Sequence, residues 1–91
     1  MSRKDLPQDE YDIRKLDSLA KLSDDNFRDA VPELFRWTED KEYAIYPFVI
    51  DLLAYRQVSV VDEIRKVFRT DNVAWQKNLL DDLIVRLSNG N

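Results

Sequence analysis

The 91 residues include no histidine, no cysteine and one glycine; 35% of side chains are charged and the net charge is −4. That length allows one domain and not two. Without imidazoles or thiols there can be no Ser–His–Asp triad, no HExxH metalloprotease helix, no ordinary zinc site and no disulfide framework, and a lone terminal Gly90 rules out phosphate-cradling loops.

Apolar residues make up 44% of the chain, close to the globular norm, so a disordered polymer is not expected. The only two-residue hairpin turn signal is Asn89-Gly90, which argues against β structure. No apolar signal region follows Met1-Ser2-Arg3-Lys4-Asp5, and the apolar stretch from Tyr43 to Tyr55 is too short to span a bilayer. A soluble, cytoplasmic protein is expected.

The elements follow in chain order. Residues 1–8 read as irregular, and a first helix is expected from Asp9, its N-cap, to Lys21, with Ile13, Leu16, Leu19 and Ala20 as its apolar stripe. Ser23 caps a second segment that opens on Asp24-Asp25, where acids suit the positive end of the helix dipole. Pro32 interrupts it. Either a helix stops near Ala30 and another starts at Val31, or one helix kinks there and runs to about Thr38.

Residues 43–55 are apolar nearly all round, which predicts a central helix covered on several sides. A buried strand competes, but the length of the run and the lack of turn signals favour helix. Ser59-Val60-Val61-Asp62 resembles a capping box, and Val60, Val61, Ile64, Val67 and Phe68 then share a face. Asp71 is the expected cap of a last helix carrying Trp75, Leu79, Leu80, Leu83, Ile84 and Leu87, stopped by Ser88-Asn89-Gly90.

Short connections make consecutive helices antiparallel. A shift of 30 positions lays Leu34 on Ile64, Trp37 on Val67, Ile45 on Trp75, Val49 on Leu79 and Leu53 on Leu83. One offset spanning two helices and a loop predicts two stacked helix hairpins over 31–87, with the first helix closing one end, as in short α-solenoids.

Some chemistry remains open. Asp24-Asp25, Glu39-Asp40-Glu42 and Asp81-Asp82 offer carboxylates of the kind that serve a metal or acid–base work, but each lies at a helix start or on an exposed face, where solubility and capping explain it. No catalytic residue, metal or cofactor is expected. Arg65, Lys66 and Arg69 sit where cations complement a helix C-terminus rather than where phosphate binding requires them. Trp37 and Trp75 are either interface anchors or core.

Residues 1–42 hold twelve acidic and eight basic groups, whereas residues 43–91 hold six of each. Such an acidic half disfavours nucleic acid and suits a basic protein partner. The candidate partner surface is Asp24, Asp25, Asp29, Glu39, Asp40, Glu42 and Tyr43. The plainer reading of the same residues is a solvated face that keeps a small protein soluble.

Three stretches carry a family resemblance: Leu22-Ser23-Asp24-Asp25, Val31-Pro32-Glu33-Leu34-Phe35-Arg36-Trp37 with Asp40, and Asp71-Asn72-Val73-Ala74-Trp75-Gln76-Lys77-Asn78-Leu79-Leu80. From about Leu6 to Leu87 the chain resembles a small bacterial family known as domain of unknown function 5071. It departs from that pattern at Lys41-Glu42-Tyr43-Ala44-Ile45 and at Lys77-Asn78. The resemblance implies an all-α, HEAT-like superhelix of five or six antiparallel helices and brings no activity. By analogy with small helical proteins encoded beside bacterial toxins, the expected function is a non-enzymatic binding module, an immunity protein that neutralises a basic toxin. The alternative is a structural or self-associating repeat module.

Overall fold

Leu19, Phe27, Val31, Leu34, Ile45, Val49, Leu53, Leu79 and Leu83 are wholly or almost wholly withdrawn from solvent and form one core. They do so in a computed structural model that describes residues 6–89. The protein is all-α, with no strand among the described residues. Its helices are α1 (Arg14–Leu19), α2 (Asp24–Arg36), α3 (Tyr46–Arg56), α4 (Val60–Phe68) and α5 (Val73–Leu79). A π-helical segment, Leu80–Ile84, then leads into α6 (Val85–Asn89).

Several helix starts differ from expectation, each for a local reason. The chain before α1 is not helical from Asp9, because Asp9 and Asp12 turn it instead. Tyr11 N–H donates to Asp9 Oδ1 at 2.8 Å and Gln8 N–H donates to Asp12 Oδ2 at 3.0 Å. Short acidic side chains compete in this way with the helical ladder. α3 starts at Tyr46 rather than Tyr43, since Glu42 N–H donates to Asp40 Oδ1 at 2.8 Å and a turn occupies the residues between. Pro47 then stands second in the helix, where its missing N–H costs no intrahelical bond.

Ser59 is not the cap of a capping box. Its φ of 56° places it in the left-handed region, and its hydroxyl instead accepts from Arg28 Nε at 3.1 Å. α5 is capped by Asn72 and not Asp71: Asn72 Oδ1 accepts from Trp75 N–H at 3.0 Å. By contrast, Ser23 Oγ accepts from Asn26 N–H at 3.3 Å, as the sequence predicts. Pro32 neither ends α2 nor splits it, for α2 runs unbroken through it. α6 extends to Asn89, and the expected stop at Gly90 lies outside the described residues.

α2 packs on α3 and on α4, α4 on α5, α3 on the π segment, and α1 on α3. Of the pairs that the 30-residue shift lays together, Val49 and Leu79 are both fully buried, as are Leu53 and Leu83. Other positions 30 apart differ in burial. Val31 is fully buried but Val61 is 54% exposed; Ile50 is 4% exposed but Leu80 is 50% exposed. Phe68, expected on the core face, is likewise partly exposed. α2 therefore meets both α3 and α4, and α1 adds cover against α3.

Candidate partner-binding site

The carboxyl end of α2 is tied down by polar contacts from α5. Thr38 is fully buried, and its hydroxyl donates to the Phe35 carbonyl at 2.5 Å. The same oxygen accepts the Trp75 indole N–H at 2.7 Å. Asn78, also buried, donates its side-chain amide to the carbonyls of Thr38 at 3.0 Å and Glu39 at 3.2 Å. The last carbonyls of a helix have no intrahelical partner; those of Leu34, Phe35 and Arg36 accept the N–H groups of Trp37, Thr38 and Glu39, and α5 in turn holds that chain just past α2. No buried side-chain nitrogen or oxygen among the described residues lacks a partner.

This anchorage fixes the loop that leaves α2. Trp37 and Tyr43, both half-buried, meet edge to face with ring centroids 5.3 Å apart and planes at 73°. Ala44 N–H donates to Glu10 Oε1 at 3.1 Å, holding the far side of the loop to the chain before α1. Pro7, Glu33, Arg36, Trp37, Glu39 and Tyr43 line an open groove of about 260 Å³ between these parts.

The seven residues expected to form one partner surface separate into groups. Asp24 and Asp25 start α2, whereas Glu39, Asp40, Glu42 and Tyr43 follow its end; 13 residues of helix span roughly 20 Å. Asp29 lies exposed between them. The amino-terminal acids are committed within the fold. Asp24 pairs with Arg56 Nη2 at 2.9 Å and Asp25 with Arg28 Nη1 at 3.1 Å. Glu39, Asp40 and Glu42 are exposed and enter no ion pair among the described residues.

Sequence reasoning left Trp37 undecided between anchor and core, and it missed Pro7, Glu33 and Arg36. The four-residue spacing of Glu33 and Trp37 on one helix, with Arg36 a turn from Glu33, was a usable signal. Nothing in the sequence brings Pro7 to that face.

The other expected carboxylates have structural partners. Lys77 Nζ lies 3.1 Å from Asp81, and Lys41 Nζ lies 3.5 Å from Asp82. Tyr46 Oη donates to Asp82 Oδ2 at 2.6 Å, with the Asn78 carbonyl 3.4 Å away. Burial, then the hydrogen bond to Asp82 and the charges of Asp82 and Asp81, push the Tyr46 phenol well above its ordinary value. A second hollow, about 290 Å³, lies beside these groups; Asp51 and Arg86 pair across it. Lys66, in the last turn of α4, meets Glu63 of its first turn at 2.9 Å. No cluster of three or more carboxylates among the described residues is placed to hold a metal ion. No helix among them is long and apolar enough to cross a membrane.

Fold and site together define a small all-helical domain that sets exposed carboxylates without ion pairs among the described residues beside a half-buried aromatic pair at the carboxyl end of α2. The chain belongs to the family described as domain of unknown function (DUF5071), whose model matches residues 6–91. Comparison with the curated proteins and with the solved structures yields no significant match.

Proposed function

We propose that this chain is a non-enzymatic protein-binding module that meets a basic partner at the carboxyl end of α2. One observation carries the reading: Glu39, Asp40 and Glu42 are exposed and without ion pairs among the described residues, beside the half-buried Trp37 and Tyr43. Unpaired surface carboxylates repel one another at some cost in stability, and a partner's cations would offset that cost. An aromatic pair at the centre with charge at the rim is the composition of interface hot spots. The absence of histidine and cysteine supports the non-enzymatic half of the reading.

In its narrower form the module is a cytoplasmic immunity protein that neutralises a basic toxin, a step that rests on analogy with small helical proteins encoded beside toxin genes. Co-expression with the product of the adjacent gene, followed by affinity capture and sizing, tests it. A complex should form and should be lost on charge reversal of Glu39, Asp40 and Glu42, more than on reversal of Asp24 and Asp25. No complex at any salt concentration would sink this form.

A second reading, self-association, has its own observation. Val61, Phe68, Val73 and Leu80 are exposed on α4 and the last helical rod, the half of the molecule with no excess of either charge. A stable dimer on sizing chromatography, dispersed by Phe68→Glu, supports it.

A further inference from the structure

We infer that the groove between Trp37, Tyr43 and Glu39 receives the side chain of one arginine from the partner protein. The inference rests on the protein-binding reading and names what that site takes. The groove's volume of about 260 Å³ is below the range of roughly 300–1,000 Å³ that houses small-molecule ligands, and suits one inserted side chain. Its walls are of two kinds. Trp37 and Tyr43 offer π surface, which attracts a cation through the ring quadrupole. Glu39 adds an exposed carboxylate with no ion pair among the described residues.

Charge selects the occupant. Among the described lining residues the Glu39 carboxylate stands beside the Arg36 guanidinium, and Asp40 and Glu42 add two more negative charges on the adjoining loop. Lys41, the loop's own cation, is drawn off toward Asp81 and Asp82. An anionic side chain would meet an unfavourable field there, and a neutral apolar one would gain nothing from it. Arginine fits better than lysine because its planar guanidinium stacks on an aromatic face and at the same time pairs with a carboxylate. The fold itself contains such an arrangement. The Arg56 guanidinium lies 4.5 Å over the Phe27 ring while it pairs with Asp24.

The test is a titration of the isotope-labelled full chain with N-acetyl-argininamide, followed by amide and indole resonances. The lysine analogue and the uncharged citrulline analogue serve as controls. Saturable shifts at the Trp37 indole and at residues 36–43 are expected, with a Kd on the order of millimolar. Lysine should bind several-fold more weakly and citrulline not at all. Glu39→Gln should weaken arginine binding several-fold, and Arg36→Gln should strengthen it; both positions are exposed, so neither change threatens folding. Equal shifts with citrulline, shifts centred on Asp24 and Asp25, or an unmoved Trp37 would each overturn the inference. If Trp37 does not respond but the co-expressed complex still depends on Glu39, Asp40 and Glu42, the pocket is wrong and the protein-binding reading stands.

Discussion

The indole of Trp75 donates to the hydroxyl of Thr38 at 2.7 Å, joining two residues 37 positions apart. Thr38 passes the interaction on by donating to the Phe35 carbonyl, so one buried hydroxyl ties α5 to the last turn of α2. Thr38→Val keeps the shape but removes both bonds and leaves the indole N–H without an acceptor. The expected loss is about 2 kcal/mol, since an orphaned polar group forfeits its desolvation as well as its bond. Urea unfolding checks this: the midpoint should fall with the slope unchanged. Trp75→Phe and the double variant complete a cycle whose coupling should be about 1 kcal/mol. Strict additivity would mean that the bond contributes nothing.

Arg56 has a comparable role at the opposite end of α2. Its side chain is only 12% exposed, and it donates to the Ala20 carbonyl at 3.0 Å while covering Phe27 and pairing with Asp24. The two partners of that ion pair are unequal, for Asp24 is 75% exposed. Arg56→Met retains the packing stem but loses the charged bonds, and should cost about 2 kcal/mol. Asp24→Asn should cost less than about 1 kcal/mol, the range of exposed pairs and helix-end charges. Thermal unfolding of the two variants should therefore separate them clearly. Equal losses would show that the ion pair, and not the bond to Ala20 and the contact with Phe27, sustains this junction.

These two junctions show where sequence reasoning succeeds and where it stops. Apolar spacing alone was enough to place Leu16, Leu19, Val60, Val67, Leu79 and Leu83 in the core, because helical burial imposes its own period. Ser23 was legible as a cap from its own chemistry. Asn72 was not, because Asp71 beside it is as good a capping residue and only the backbone decides between them. The π segment left no trace either: Leu79 and Leu83 suit α-helical spacing, and the added width is visible only in the folded chain. At the candidate site, composition located the acids but could not say which would be paired. That depends on Arg56 and Arg28 reaching the amino end of α2 while no cation among the described residues pairs with Glu39, Asp40 or Glu42.

Tyr46 sets a limit at alkaline pH. Its phenol is pushed above the ordinary value of 10.0 by burial first and by Asp82 next. The unfolded chain therefore gives up this proton at lower pH than the folded one. Its stabilising contribution is complete below pH 10 and is lost as pH rises toward the folded value. Denaturant midpoints measured between pH 8 and about 11 should fall more steeply for the parent than for Tyr46→Phe. Parallel curves would mean that Tyr46 ionises equally easily in both states.

Pro32 stands ninth in the 13-residue α2, exposed, with helix on both sides. Having no amide N–H, it leaves the Arg28 carbonyl without its usual acceptor role in the ladder, and its ring crowds that same carbonyl. An interior proline is about 3 kcal/mol less favourable than alanine in a helix. Against this, proline stiffens the unfolded chain, which recovers about 0.4–1 kcal/mol. Pro32→Ala should thus stabilise the protein by about 2 kcal/mol, raising the urea midpoint at constant slope. The same variant bears on the groove, since Glu33, Arg36 and Trp37 all lie on the turn that follows the proline. If the ring sets the tilt of that turn, the stabilised variant should bind N-acetyl-argininamide more weakly while Glu39 and Tyr43 remain in place. Unchanged binding with higher stability would leave the proline as a local defect of α2, and lower stability would mean that its rigidity outweighs its missing hydrogen bond.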